Sequence, residues 1–292
     1  MELRYDTISF LSDYGTVDEF VGVVHSVVRS ISPEVRVIDI THQVPPHDVR
    51  AGALTLARAA QYLAPGVVVA VVDPGVGTDR RAIAVEVGDG DSVLVGPDNG
   101  LLAPAVAMVG GATRAFALDN PAYHLPAPGA TFDGRDVFAP VAAHLCTGVP
   151  IDEVGTEVDP NGLRPTMIPV TQLDGDVLSA EALWIDQFGN VQLNVDPDEI
   201  AEFGDVVALD IGGRRRSASR VDSYAELRTG EVGLLIDSYG LLAVVANQAS
   251  AADELSVTSG DEVALSPLDG EPRRDPDAGL HQAVTLRTKD RS

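Results

Sequence analysis

Residues 67–81 read Val67-Val68-Val69-Ala70-Val71-Val72-Asp73-Pro74-Gly75-Val76-Gly77-Thr78-Asp79-Arg80-Arg81, and this stretch decides the fold. Val67 to Val72 are all apolar and mostly β-branched, in a run that Gly and Pro cut short on both sides. Such a run is too brief for a helix and reads as a strand buried on both faces, the kind that parallel sheets contain. Asp73 follows at the strand's C-terminal end, where open α/β sheets hold their ligands. The glycines of the turn let the backbone approach a ligand closely. Arg80, seven residues on, can turn back toward Asp73; the plain alternative is a surface turn with a salt bridge. A dinucleotide fingerprint is rejected, because a strand rather than a helix follows Gly77.

Outward from this strand, strands and helices alternate. Ile8 to Leu11 runs into Ser12-Asp13-Tyr14-Gly15. A helix is predicted from Thr16, since Thr16 and Glu19 have capping-box spacing, with Phe20, Val23, Val24, Val27, Val28 and Ile31 on one face. Val35 to Ile40 is a strand, 48–63 a helix, 82–87 and 93–95 strands, 101–109 a helix and 115–118 a strand. A helix behind residues 131–136 tolerates Pro140 only in its first turn. Residues 1–165 are therefore predicted to form a layered α/β domain with a largely parallel sheet. The three prolines between Asp159 and Pro169 mark a linker. From 170 to 267 short apolar runs recur between turn residues (177–185, 191–195, 206–211, 232–236, 241–245, 262–265), which predicts an all-β domain, a small barrel. Residues 268–292 are charged and Pro-containing, a tail expected to be disordered.

The chain of 292 residues is 45% hydrophobic but only 5% aromatic, so its cores rest on Val, Ala, Leu and Ile. A formal charge of −24 opposes nucleic acid and anionic membrane surfaces as partners. No apolar run approaches a membrane span, no signal peptide is visible, and Cys146 is the sole cysteine. A cytoplasmic protein is expected. Carboxylates fall after successive strands at Asp13, Asp39, Asp73 and Asp98, and a shared sheet edge would gather them; Asp186 is the counterpart in the second domain. No metal site is expected, because His42, His47, His124 and His144 lack ligand spacing. Hydrogen bonds from ribose hydroxyls suit these carboxylates better.

Six motifs occur in order: Ser12-Asp13-Tyr14-Gly15, Asp39-Ile40-Thr41-His42, the Asp73 to Arg81 segment, Pro97-Asp98-Asn99-Gly100, Thr131-Phe132-Asp133-Gly134-Arg135-Asp136 and Asp186-Gln187-Phe188-Gly189-Asn190. With them the chain resembles the S-adenosyl-L-methionine (SAM) hydroxide adenosyltransferase family, relatives of the fluorinase and chlorinase enzymes, from about residue 7 to residue 266. The resemblance implies hydrolysis of SAM to adenosine and L-methionine without metal or separate cofactor. It also implies a homotrimer whose sites lie between one subunit's N-terminal domain and a neighbour's C-terminal domain. Asp73 and Arg80 match two members of the family's Asp-Arg-His water-activating set. The third position holds Asp133 instead of histidine, and the reading adopted is that Asp133 replaces it as the water-orienting acceptor. Slowed hydrolysis or another nucleophile are the alternatives.

For binding, the resemblance assigns Asp13 to the ribose hydroxyls, with helix capping as its plain alternative. Asp186 and Asn190 go to the methionine moiety and Phe188 to packing beside the substrate. Ser238 and Asn247 match positions near the methionine carboxylate and the adenine edge. Tyr239 stands where relatives often carry arginine, and His47 where some halogenases carry tryptophan; Trp184 is expected in the barrel core. The halogenases lack the aspartate at position 73, so the Asp73–Arg80 pair disfavours halide as nucleophile. The competing functions are a halogenase forming 5′-halo-5′-deoxyadenosine and a non-catalytic protein that binds adenosine or SAM.

Overall fold

The structure is a computed structural model that describes residues 3–268. The tail expected from residue 268 onward lies, beyond Leu268 itself, outside the described residues. The chain divides between Ile168 and Pro169 into two compact units.

The first unit is built on seven strands: β1 (Thr7–Ser12), β2 (Arg36–Thr41), β3 (Val67–Val71), β4 (Ala82–Val87), β5 (Ser92–Pro97), β6 (Ala112–Ala117) and β7 (Thr156–Val158). They lie in the order β2-β1-β3-β5-β4-β6-β7. β2, β1, β3 and β5 are mutually parallel, whereas β4, β6 and β7 extend the sheet by antiparallel pairing. The opening stretch forms the buried strand its composition predicts. Val67, Val69 and Val71 enter one core with helices α1 (Phe20–Ile31) and α4 (Ala139–Cys146). Val68, Ala70 and Val72 enter the other, with α2 (Val49–Ala60) and α3 (Ala103–Met108). The period of two in a pleated strand sends alternate side chains to opposite faces, and burying each valine contributes about 1.5–3 kcal/mol.

One local expectation changes, and two others hold with an added feature. The helix predicted from Thr16 starts at Phe20, and no side chain caps it. Thr16 Oγ1 instead accepts from Gln43 Nε2 at 3.3 Å, so the capping box loses to a contact between loops. Pro140 does fall in the first turn of α4, but that turn continues from a π-helical turn, Gly134–Phe138. The carbonyl of Asp136, which a residue with an N–H at position 140 would have engaged, accepts from the Leu125 N–H at 2.9 Å. Finally, a strand and not a helix follows Gly77, as read from the sequence, but it departs from the parallel direction of β3 and β5. β4 runs against β5 with Ala82 opposite Pro97, so it begins at the edge where the parallel strands end.

The second unit contains β8 (Gln172–Asp174), β9 (Val177–Ile185), β10 (Val191–Leu193), β11 (Val206–Ile211), β12 (Arg214–Arg220), β13 (Val232–Ile236), β14 (Leu242–Ala246) and β15 (Glu262–Pro267). The order β10-β14-β13-β12-β11-β15-β9 closes through pairing of β9 with β10, giving a seven-stranded barrel to which β8 is added beside β9. Leu193, Ile200, Leu209, Val244 and Leu265 fill it. The barrel agrees with the sequence reading, but β12 was not predicted. Its residues Arg214 to Arg220 lack apolar alternation and bury only Ala218. Backbone pairing on both sides, antiparallel to β11 and parallel to β13, holds it in place.

Candidate active site

The reversal of β4 creates the site's charge arrangement. It sets Arg80 and Arg81, just before the strand, at the edge where β3 and β5 deliver Asp73 and Asp98. Arg80 Nε donates to both oxygens of Asp73, at 2.9 and 3.0 Å, and its Nη2 also reaches Asp73. The same Nη2 donates to Asp133 Oδ2 at 2.5 Å. The side chains of Arg80 and Asp73 are only 8% and 5% exposed, and the guanidinium lies over the Phe138 ring, 5.4 Å from its centroid. Burial alone would lower the Arg80 pKa, but the hydrogen bonds and charges of Asp73 and Asp133 outweigh it and hold the group above its ordinary value. Arg80 is therefore a fixed cation shared by two carboxylates. Asp133 Oδ1 has no protein partner among the described residues.

Loop geometry supports this pairing. Gly77 has φ +77°, and a Cβ there would lie 2.6 Å from the Ala130 carbonyl oxygen. The close approach anticipated for this glycine is thus made to the chain itself, seating the Asp73 turn against the segment that carries Asp133. Asn99 Nδ2 donates to the Val72 carbonyl at 2.9 Å, fixing the residue before Asp73, while its Oδ1 accepts from the Leu101 N–H.

Asp13 and Asp73 line one cleft of about 240 Å³ together with Tyr14, Phe20, His47, Phe132 and Asp133. Asp13 does not cap a helix; its Oδ2 accepts the backbone N–H of His47 at 2.9 Å. His47 makes this contact with a positive φ of 68°, a conformation uncommon outside glycine. Of the four carboxylates expected to converge, the other two are committed elsewhere. Asp98, 4% exposed, is held by Arg81 and by the Arg164 N–H. Asp39 is held by His25 and His42.

Tyr14, which the sequence reading left without a role, belongs to this cleft. Its ring meets Phe132 and Phe20 at 5.6 and 5.7 Å. Burial, reinforced by Asp13, Asp73 and Asp133, pushes its hydroxyl far above the ordinary tyrosine value, so it stays a donor at any working pH. A Cβ on Gly134 would sit 2.1 Å from that hydroxyl oxygen, which accounts for glycine after Asp133. Adjacency to Asp13 in one motif was the available signal.

In the barrel unit, Asp186, Phe188 and Asn190 share the turn between β9 and β10. Asp186 Oδ1 accepts the N–H groups of Phe188 and Asn190, and its Oδ2 accepts from Asn190 Nδ2 at 2.8 Å. Phe188 is 69% exposed and so is no part of the barrel core. Ser238 lies in the turn before β14 and Asn247 just after it, so these two fall at opposite ends of one strand. Asn247 Nδ2 donates to the Leu227 carbonyl at 2.8 Å. Trp184, expected in the core, is half-buried and meets Tyr239 edge-on at 6.4 Å.

Comparison with known proteins agrees with this layout. Residues 8–155 match the family model described as SAM hydroxide adenosyltransferase N-terminal domain, and residues 180–264 match its C-terminal domain. An (R)-S-adenosyl-L-methionine hydrolase of Salinispora tropica is 45% identical over 259 residues, covering 89% of this chain and 97% of the relative. A fluorinase of an Actinoplanes species is more distant, 27% identical over 87% of this chain and 95% of its own length. The crystal structure of an uncharacterized conserved protein from Thermotoga maritima superposes with a TM-score of 0.81 at 34% identity, over 89% of this chain and 99% of that one. The chain belongs to the SAM hydroxide adenosyltransferase family.

Proposed function

We propose that this protein hydrolyses S-adenosyl-L-methionine to adenosine and L-methionine. The observation that carries the reading is Arg80 clamped between Asp73 and Asp133, two carboxylates that line one cleft with Asp13. A water oxygen attacks C5′ of the ribose as the C5′–S bond breaks in line. The sulfonium leaves as a neutral thioether, so the leaving group needs no acid, metal or cofactor. Water is the weak partner, and its proton must be taken as the C–O bond forms. Asp73 is assigned as the acceptor of that proton. Arg80 stabilises hydroxide character, and Asp133, with its unengaged Oδ1, orients the water in place of the family histidine. Asp13 binds the ribose hydroxyls.

Asp186, Phe188, Asn190, Ser238 and Asn247 are assigned to the rest of the substrate, contributed by a neighbouring copy in a homotrimer. The exposure of Phe188 supports an aromatic contact made outside its own barrel. The protein is placed in the cytoplasm; among the described residues no helix is long and apolar enough to cross a membrane, and the buried Cys146 forms no disulfide.

Product identification tests the reading. Purified protein is incubated with SAM, resolved into its two sulfonium epimers because the relatives are named for the (R) form, with and without chloride or fluoride. Adenosine and methionine in equal amounts, independent of halide, are expected. A 5′-halo product would make it a halogenase, and unchanged bound SAM a binding protein.

A further inference from the structure

Histidine spacing in the sequence gave no reason to expect a metal, but it left out His25, which the fold brings to Asp39 and His42. His25 projects from α1, while Asp39 and His42 sit three residues apart at the end of β2. His25 Nε2 lies 2.8 Å and His42 Nε2 3.0 Å from the same oxygen, Asp39 Oδ1, and the three donor atoms fall within 4.8 Å of one another. Both imidazoles lean on Phe10, with ring centroids 6.2 and 4.6 Å from it.

The buried member is the informative one. His42 is 6% exposed. Its Nδ1 is hydrogen-bonded to Ser12 Oγ at 2.8 Å, yet its Nε2 is shielded from solvent and makes no hydrogen bond of acceptable geometry. Asp39 Oδ1 is close to that nitrogen but off the axis of a ring N–H. Two tautomers are open to the ring: in one, Nε2–H points toward Asp39 Oδ1 off the hydrogen-bond axis; in the other, Nδ1–H donates to Ser12 and the Nε2 lone pair faces the carboxylate oxygen, an arrangement that a cation between them makes favourable. An outer partner on Nδ1 is also what orients metal-ligating histidines.

We infer that His25 Nε2, Asp39 Oδ1 and His42 Nε2 form a binding site for a divalent transition metal ion such as Zn²⁺. Two imidazole nitrogens and one carboxylate oxygen are a donor set this class of ion accepts, with a remaining position for water. Bond lengths of about 2.0–2.2 Å in a tetrahedral site space the donors roughly 3.3 Å apart, so the present 2.8 and 3.0 Å separations need widen only by tenths of an ångström. His25 and Asp39 are partly exposed, which gives the ion a way in. The ligands carry one net negative charge, and a chain of formal charge −24 concentrates cations around it. None of the three lines the proposed water-activating cleft, so the site is separate from that chemistry.

The test uses the full chain after chelator treatment. Co²⁺ is titrated while the visible d–d absorption of a low-coordinate site is followed, and Zn²⁺ affinity is measured by calorimetry. One ion per chain is expected, Zn²⁺ displacing Co²⁺, with affinity at least about tenfold weaker in His25→Gln and in Asp39→Asn. Both substitutions lie on the surface, and circular dichroism of the metal-free variants confirms that they remain folded. Absence of stoichiometric binding, or binding that both variants leave unchanged, would overturn the inference and leave an ion pair shared by two histidines.

Discussion

Replacing Asp73 by asparagine separates the chemistry from the scaffold. Two carboxylates and one guanidinium sum to a charge of −1 in the parent and 0 in Asp73→Asn. Removing one partner from a buried ion pair ordinarily costs about 3–5 kcal/mol, because the other charge is stranded. Arg80 is not stranded here, since its Nη2 keeps Asp133 Oδ2 at 2.5 Å. The loss of stability should therefore be nearer 1–3 kcal/mol, roughly that of weakened charged hydrogen bonds. The sulfonium loses one attractive charge across a water-accessible cleft, worth about 1 kcal/mol or roughly fivefold in Kd. Turnover should fall far more: a positioned general base contributes about 10²–10⁴-fold, or about 3–5 kcal/mol of barrier. The assay is adenosine release at saturating SAM, with calorimetric SAM binding and thermal unfolding on the same preparation. A kcat within about threefold of the parent in a folded, SAM-binding variant would remove Asp73 from the base role. The control is Asp13→Asn, which should weaken binding more than it lowers kcat.

Asp133→His restores the family's residue beside Arg80 and should retain or raise the rate of adenosine release; complete loss would mean that Asp133 does something an imidazole cannot. Gly134→Ala drives a methyl group to within 2.1 Å of the Tyr14 hydroxyl oxygen. It should cost about 1–3 kcal/mol in urea denaturation, of which Tyr14→Phe recovers part by removing that oxygen; no recovery would place the strain elsewhere. Burial holds the imidazoles of His124 and His144 below the ordinary histidine value, with Asp133 and Asp119 pulling His124 partly back. As pH falls through about 6.5, the unfolded chain therefore binds protons that the folded chain does not. Stability should drop between pH 7 and 5, and a His124→Gln/His144→Gln variant with the same slope would refute this.

What the sequence made legible followed burial and periodicity. The Val67 to Val72 run, α2, and most barrel strands announce themselves because apolar side chains must leave water at the period of their element. β12 did not, because its arginines and serines are placed by backbone pairing with neighbours distant in the chain. The capping pair Thr16 and Glu19 was a local signal overridden by a tertiary one, the approach of Gln43. At the site, Asp73 and Arg80 were readable from a turn seven residues long, and Asp133 from resemblance alone. The role of Asn99 was not readable, since it depends on where the Val72 carbonyl points. Nor was the commitment of Asp39 and Asp98 to other partners: sequence order shows which residues reach an edge, and only the fold shows whose charge is already engaged.

The shared guanidinium bears on the choice of nucleophile. Arg80 alone would form an anion site, and a halide could replace a carboxylate beside it. With both Asp73 and Asp133 in contact, the cation is overcompensated and the cluster carries −1. A halide entering about 4 Å from that charge meets roughly 4 kcal/mol of repulsion at an effective dielectric constant of 20, besides the cost of shedding its hydration. A neutral water pays neither, and the proton it releases is drawn toward the same surplus charge. The substrate reinforces the asymmetry: a sulfonium is attracted to the cluster, and its conversion to a thioether discharges it just as that proton arrives. Both displacements conserve charge, since an attacking halide would neutralise the sulfonium as it bonds to C5′; the asymmetry lies in the approach, where a halide takes the substrate-loaded site from 0 to −1 and water leaves it at 0.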